Sequence, residues 1–294
     1  MTEPVARLRY SAPADRPRHA LPGGQKLILW PVVNIENWLI ENPMPRQVLV
    51  APTAAVLQPD LPNWAWHEYG MRVGFWRFLE LFQRHAIRPT LSINGSVIGA
   101  YPRVAEAARD AGWEFMGHGW VQVPTHKMPD QRDAITRTVK TITDFTGRAC
   151  HGWLGPGLTE TLETPDLLAE AGIEWLGDFV VDDLPARIAT RHGEMLSLPY
   201  SVELNDIPVV MIQHHDEEEL PRRARLQAKR LIAEAEASTG VKIMCIAIHP
   251  YISAVPHRID ALAAVFAEFA ADPRVAFMQG DEIADWYRAS GDKA

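Results

Sequence analysis

Stretches of consecutive apolar residues that end on polar, chemically capable side chains constrain this chain most. Leu27–Val33 runs out on Asn34 and Glu36, Trp113–Met116 on His118, and Met244–Ile248 on His249. A strand that is apolar at successive positions is buried on both faces, which calls for a parallel sheet covered by helices. In sheets of that kind ligands bind beyond the carboxyl ends of the strands, so one kind of residue recurring at one kind of place predicts a single site and points to an enzyme.

Further runs of strand character are RPTLSIN, WEFMGHG, ACHGWLG, EWLGDFV, MLSLPYSVEL, VVMIQHH, KIMCIAIH and VAFMQ. Between them helical spacing recurs as Phe75, Phe78, Leu79, Phe82, as Val104, Ala107, Ala108, Ala111, and as Ile259, Leu262, Ala263, Phe266. Pro165 after Thr164 predicts a helix start with Thr164 as N-cap, and Gly112, Gly147 and Gly172 each close a helical run. Strand and helix alternate without an internal repeat, which predicts an α/β fold of the β/α barrel or distorted barrel kind. At 294 residues one domain suffices. The segment Asn37–Gly70 stands apart, with five prolines (Pro43, Pro45, Pro52, Pro59, Pro62) and three tryptophans counting Trp38. Its length and aromatic content predict a loop that caps the strand ends.

With 22% charged and 47% hydrophobic residues, the composition is globular. The formal charge of −8, without a Lys/Arg tract, argues against nucleic acid as a partner. The first residues carry Pro, Arg and Asp where a secretory signal needs an apolar core, and no stretch suits a membrane span, so the expected location is the cytoplasm. Cys150 and Cys245 both lie in apolar strand contexts and are expected to be buried free thiols.

Six segments in a fixed order, VNIENW, GHGW at 117–120, GWLGPG at 152–157, DDLP at 182–185, LPYSVELND at 198–206 and IHPY at 248–251, resemble the polysaccharide deacetylase superfamily. They resemble most its intracellular branch of allantoinase-like proteins and cyclic imide hydrolases. The resemblance spans about residues 27–288, leaving 1–26 as an N-terminal extension and 37–70 as the capping loop. It implies a distorted (β/α) barrel of about seven parallel strands, hydrolysis of a non-peptide carbon–nitrogen bond, and a homo-oligomer, a tetramer in the relatives. Three departures stand out. Secreted members carry two adjacent aspartates in the first motif, where this chain has Asn34-Ile35-Glu36-Asn37. Their second motif has two histidines four apart, where Gln122 follows His118 and the next histidine is His126. Their third motif begins with Arg, where Trp153 and Pro156 stand here.

Glu36, His118 and His249 are the candidate catalytic residues. A carboxylate at an apolar barrel mouth is expected to have its pKa raised by desolvation, which suits a base or a metal ligand. His118 lies between two glycines that let the backbone bend, and His249, with an ordinary pKa near 6.5, suits protonation of a leaving nitrogen. Zinc or another divalent ion is a candidate cofactor, held by Glu36, His118 and His126, although these fall short of the usual ligand set. Among candidate substrate contacts, Trp153, Gly155 and Pro156 belong to a turn whose N–H groups would face an oxyanion, with a plain strand-to-helix turn as the rival. Arg72, near the start of a helix, would clamp a carbonyl or carboxylate, against a surface salt bridge. Asn205 and Asp206, or Asp182 and Asp183, would orient an amide or a histidine, against turn capping. Of His214 and His215, alternating on a strand, at most one enters the site.

These residues predict water attack activated by Glu36, with His249 as acid, on a small cyclic amide, imide or ureide. The rival enzyme removes acetyl from an N-acetylated sugar and needs an open groove. The rival outside catalysis is a barrel that binds a ligand without turning it over.

Overall fold

The first long strand, β1 (Leu27–Ile35), is buried at every position, as its unbroken apolar run requires. The computed structural model describes residues 4–51, 55, 57–238 and 240–290. After β1 come β2 (Thr90–Ile93), β3 (Glu114–Gly117), β4 (Gly152–Trp153), β5 (Trp175–Leu176), β6 (Ala186–Thr190), β7 (Gly193–Ser197), β8 (Lys242–Ile248) and β9 (Val275–Phe277). They form one sheet in the order β6-β7-β5-β4-β3-β2-β1-β8, with β9 also on β1. Every pairing is parallel except β6 with β7. One edge of β1 carries β8, while the other pairs with β9 at Leu27–Leu29 and with β2 from Val32 onward.

The sheet curls into a distorted half-barrel in which β1–β5, β7 and β8 are the seven strands expected. Between β7 and β8 the gap is bridged only locally, where the Ala247 N–H donates to the Leu204 carbonyl and the Ile243 N–H to the Asp183 carbonyl. Two cores follow from the period of two along each strand. Leu27, Leu29, Val33 and Ile35 face outward and pack with Phe75, Phe78, Phe82 and Phe266 of the helical layer. Ile28, Trp30 and Val32 face inward with Met116, Leu154, Trp175, Cys245 and Ala247. Inside, the Trp30 indole donates to Thr90 Oγ1 at 2.8 Å, so the largest interior ring keeps its N–H satisfied.

Helices at Phe75–Arg84, Pro102–Asp110 and Pro256–Ala271 match the predicted faces. Three expectations are corrected. Residues 37–70 are not a loop throughout, since Leu61–Tyr69 is a helix that runs through a wider π turn, Gly70–Gly74, into Phe75–Arg84; Pro52 of that segment lies outside the described residues. VVMIQHH is no strand. Ile207–Ile212 is a π turn, because Asn205 Oδ1 takes the Ile207 N–H and Pro208 has none to give a ladder. The helix at Thr164–Glu170 starts one residue earlier than expected, with Glu163 as N-cap, while Thr164 Oγ1 takes the Thr161 N–H instead. The hairpin of β6 with β7 went unforeseen because β6 alternates buried with half-exposed and polar residues rather than showing an apolar run.

The extension packs onto the barrel: Arg7 binds the Asp166 carboxylate at 2.7 Å and Arg16 binds Asp182 at 2.6 Å. Cys150 and Cys245 are free and buried, as expected. Among the described residues no helix is long and apolar enough to cross a membrane.

Candidate active site

The inward period continues past the strand ends. On β1 the inward positions 28, 30 and 32 are followed by Asn34 and Glu36, on β3 Met116 by His118, and on β8 Ile243, Cys245 and Ala247 by His249. All three candidate catalytic residues therefore leave the barrel on its inner side, at the carboxyl end, and all are buried.

His249 Nδ1 lies 2.6 Å from Asp206 Oδ1, while the His249 backbone N–H and the Ser253 hydroxyl each donate to Asp206 Oδ2 at 2.7 Å. Nε2 then points to Glu36 Oε1 at 3.6 Å. Burial pushes the His249 imidazole down, but the Asp206 and Glu36 carboxylates outweigh it, and the pKa is raised. His118 Nδ1 is 2.6 Å from the Leu154 carbonyl oxygen, which only accepts, so Nδ1 carries the hydrogen and Nε2 keeps its lone pair. Burial pushes this imidazole down to about 4 against the pull of Glu36, so His118 is neutral at physiological pH.

Glu36 overturns one expectation. Burial pushes its carboxyl up, yet the Arg46 guanidinium and His249 reverse the effect and hold it well below the usual carboxylate range. Arg46 Nη1 reaches Oε2 at 2.8 Å and Oε1 at 3.0 Å, and the Trp38 indole N–H donates to Oε2 at 2.7 Å. The Tyr251 hydroxyl is also within reach of Oε2, at 3.2 Å. The residue is an ionised carboxylate held in a fixed set of donors.

Residues 37–51 form the roof. Asn63, at the start of the following helix, takes the Val48 and Leu49 N–H groups at 2.9 and 3.0 Å and donates to the Leu49 carbonyl at 2.9 Å. That clamp fixes the chain directly after Arg46. Trp38 stacks on His67, with ring centroids 4.5 Å apart, and meets Tyr251 edge-on at 5.3 Å. Gly70 and Gly74 let the roof helix lie on the turn that follows His249: a Cβ on either would come within 2.6 Å of Tyr251 N or 2.3 Å of Pro250 O. Below Glu36, Asn34 Nδ2 donates to the Tyr200 hydroxyl at 3.1 Å, and Asn205 lies beside the same hydroxyl at 3.4 Å. Asn94 ties three strand ends together, accepting the Asn37 N–H at 2.8 Å and donating to the His118 carbonyl.

Several candidates lie elsewhere. His126 is exposed on the turn Thr125–Lys127, so Glu36, His118 and His126 do not gather around an ion. Both Glu36 oxygens already hold donors, and the fixed charge of Arg46 beside them repels a cation. Among the described residues no three His, Cys, Asp or Glu side chains form a metal-holding group, so the residues present do not fit the expected zinc site. Arg72 is 75% exposed and pairs with Glu68 within its own helix, which rules out the clamp. His214 and His215 are exposed beyond the π turn instead of alternating on a strand. Asp183 meets Lys242 and Ile243 at the start of β8, about 20 Å of strand from His249 at ~3.3 Å per residue, and Asp182 is held there by Arg16.

The turn after β4 also differs from expectation. Trp153 points outward into the helical core against Gly117. The Leu154 N–H donates to the Gly117 carbonyl and the Gly155 N–H to Asp178 at 2.8 Å, while Pro156 has none. These donors are engaged before any oxyanion could reach them. Pro156 itself is buried against Gly119, the residue after His118, which adopts φ +73°. Sequence reasoning passed over Arg46, Trp38, Asn94, Tyr200 and Tyr251. Trp38 and Tyr251 belong to quoted motifs, whereas Arg46 lies in an irregular segment whose spacing carries no signal.

Residues 67–176 match the family model described as polysaccharide deacetylase. A Schizosaccharomyces pombe protein named "Putative polysaccharide deacetylase" is 22% identical over 293 residues, covering 91% of this chain and 87% of its own. Among solved structures, PuuE allantoinase superposes with a TM-score of 0.84 at 22% identity, covering 97% of this chain and 100% of that one. A probable polysaccharide deacetylase from Pseudomonas aeruginosa PAO1 gives 0.82 at 24% identity, with 94% and 95% covered. The structural likenesses establish the fold.

Proposed function

We propose that this chain, whose residues 67–176 match the polysaccharide deacetylase family model, is a hydrolase of non-peptide carbon–nitrogen bonds whose substrate is a small cyclic amide, imide or ureide. The observation that carries this is the line Asp206–His249–Glu36, with contacts of 2.6 and 3.6 Å. It sets an imidazole whose pKa is raised beside a carboxylate whose pKa is lowered, two groups whose environments drive their titrations apart.

Amide hydrolysis needs an activated nucleophile and a protonated leaving group. Glu36 takes a proton from water as the water oxygen bonds to the carbonyl carbon and the carbonyl π pair moves onto its oxygen. That pair then re-forms the C=O, the C–N bond breaks, and nitrogen takes the Nε2 proton of His249. Ring opening leaves a carboxylic acid and an amine or amide nitrogen on one product. Asp206 accepts Nδ1–H, orients the imidazolium so that Nε2–H faces the leaving nitrogen, and leaves the Nδ1–H tautomer once that proton is given up. His118 offers its Nε2 lone pair to a ring N–H or to the second hydrogen of the water.

No step runs through a metal, because the donors present do not fit one. Dialysis against a chelator is expected to leave the rate within twofold, and a loss above tenfold restored by zinc would overturn the metal-free steps. The roof supports a small substrate: Glu36 is fully buried beneath an Arg46 side chain only 18% exposed, whereas a polymer needs an open groove. Deacetylation of an N-acetylated sugar is the second reading, favoured by the names of the relatives. A panel of five- and six-membered imides, lactams and cyclic ureides beside N-acetylglucosamine oligomers separates them. Turnover of the oligomers alone would reverse the choice, and turnover of nothing would leave a ligand-binding barrel. The homo-oligomer implied by the relatives belongs to the same proposal and is checked by light scattering.

A further inference from the structure

The Leu154 and Gly155 N–H groups of the turn after β4 are engaged, and His249 is consumed as the acid, so the oxyanion formed in amide hydrolysis calls for a further donor. One residue meets the need. Arg46 makes all of its hydrogen bonds through Nη1, to both Glu36 oxygens and to the Tyr251 hydroxyl at 2.7 Å. Its Nε and Nη2, three N–H donors, bond to no described residue. The Arg46 side chain is 18% exposed, so this second edge is open to a ligand rather than sealed within the protein. The guanidinium is planar, and pinning Nη1 fixes the direction of the opposite edge. It also stays protonated throughout, so it stabilises negative charge without competing for the proton in flight.

We propose that Arg46 is a catalytic residue carried by the roof loop, its free guanidinium edge binding the substrate carbonyl oxygen as that oxygen becomes an oxyanion. This rests on the carbon–nitrogen hydrolysis proposed above. It also ties chemistry to the seating of the roof loop, since the clamp on Asn63 that holds Val48 and Leu49 holds Arg46 with them.

The test separates this role from that of a counter-charge for Glu36. Arg46→Lys keeps a positive charge near the carboxylate and removes the second edge. Loss of one oxyanion donor typically costs about 10²–10³-fold in kcat. Arg46→Lys is accordingly expected to lose at least 10²-fold in kcat on the best imide or ureide, with KM changed less than threefold and the melting temperature kept. In Arg46→Ala, added guanidinium ion is expected to restore part of the rate and ammonium ion to restore none. A Lys variant within threefold of wild type, or equal rescue by ammonium, would reduce Arg46 to a counter-charge and overturn the proposal. If wild type turns over nothing on the panel, the hydrolase proposal fails, and Arg46 is read by calorimetry with a cyclic phosphonamidate, a tetrahedral anion. Wild type binding at least tenfold tighter than Arg46→Lys would uphold an anion-binding edge, and equal affinity would overturn it.

Discussion

Glu36 and His249 are displaced from their ordinary titration in opposite directions, which fixes the pH range in which both are in working form. Glu36 is held below 4.5 and His249 above 6.5. kcat/KM is expected to be level between those values and to fall on the alkaline side as His249 loses its proton. The same shifts act on stability. The contribution of His249 is complete below pH 6.5 and lost as pH rises through its raised value; that of Glu36 is present above pH 4.5 and lost as pH falls through its depressed one. Asp206→Asn removes the largest cause of the His249 elevation, so the alkaline limb should move to lower pH and kcat/KM drop by on the order of 10²-fold or more. An unmoved limb in the pH–rate profile would remove Asp206 from the mechanism. At this scale the sequence was legible where spacing repeats. Positions 28 to 36, 116 to 118 and 243 to 249 share a period of two, and reading past the strand ends leads to Glu36, His118 and His249. Arg46 had no such period to betray it.

The roof helix reaches the site through a backbone contact that side chains would prevent. In Gly74→Ala the new Cβ would stand 2.3 Å from the Pro250 carbonyl oxygen, so either the helix or the turn after His249 must shift. Overpacking of this kind costs roughly 1–3 kcal/mol. A melting temperature lowered by several degrees and an activity loss of at least tenfold are expected, whereas Val73→Ala, on the outer face, should leave both nearly unchanged. Equal behaviour of the two variants would contradict the contact. Elements with long apolar runs, β1 and β8, were readable from the chain. The helix Leu61–Tyr69 was not, because its proline and two tryptophans continue a Pro-rich, Trp-bearing segment that suggests a loop, and its buried face includes Asn63, His67 and Glu68 rather than an apolar stripe. The π turn Ile207–Ile212 was misread for the opposite reason: its apolar run imitates a strand, while Pro208 and the Asn205 side chain decide otherwise.

Across the whole molecule the two ends of the barrel carry different burdens, with chemistry at the carboxyl end and closure at the other. There Glu114 accepts the Gly280 and Asp281 N–H groups of the last helix at 2.8 and 2.6 Å. Burial and the Asp281 charge push it up, to about 7. A carboxyl raised in the folded state contributes stability that is complete below its unfolded value near 4.5 and lost as pH rises through 7. Urea midpoints should therefore fall between pH 5.5 and 8, and Glu114→Gln, uncharged throughout, should flatten that slope. The convergence of three distant segments was legible in the sequence from strand burial, while the count of seven ring strands came from the resemblance that the order of motifs carries. Contacts made by irregular loops were not legible, because nothing in local spacing says where a loop folds back. The central claim is that Glu36 and His249 act as base and acid on one carbon–nitrogen bond. It is tested most directly by kcat/KM of Glu36→Gln and His249→Ala beside wild type on the best imide or ureide. A loss of about 10²–10⁴-fold in each is the result expected; a loss below threefold in either variant would contradict it.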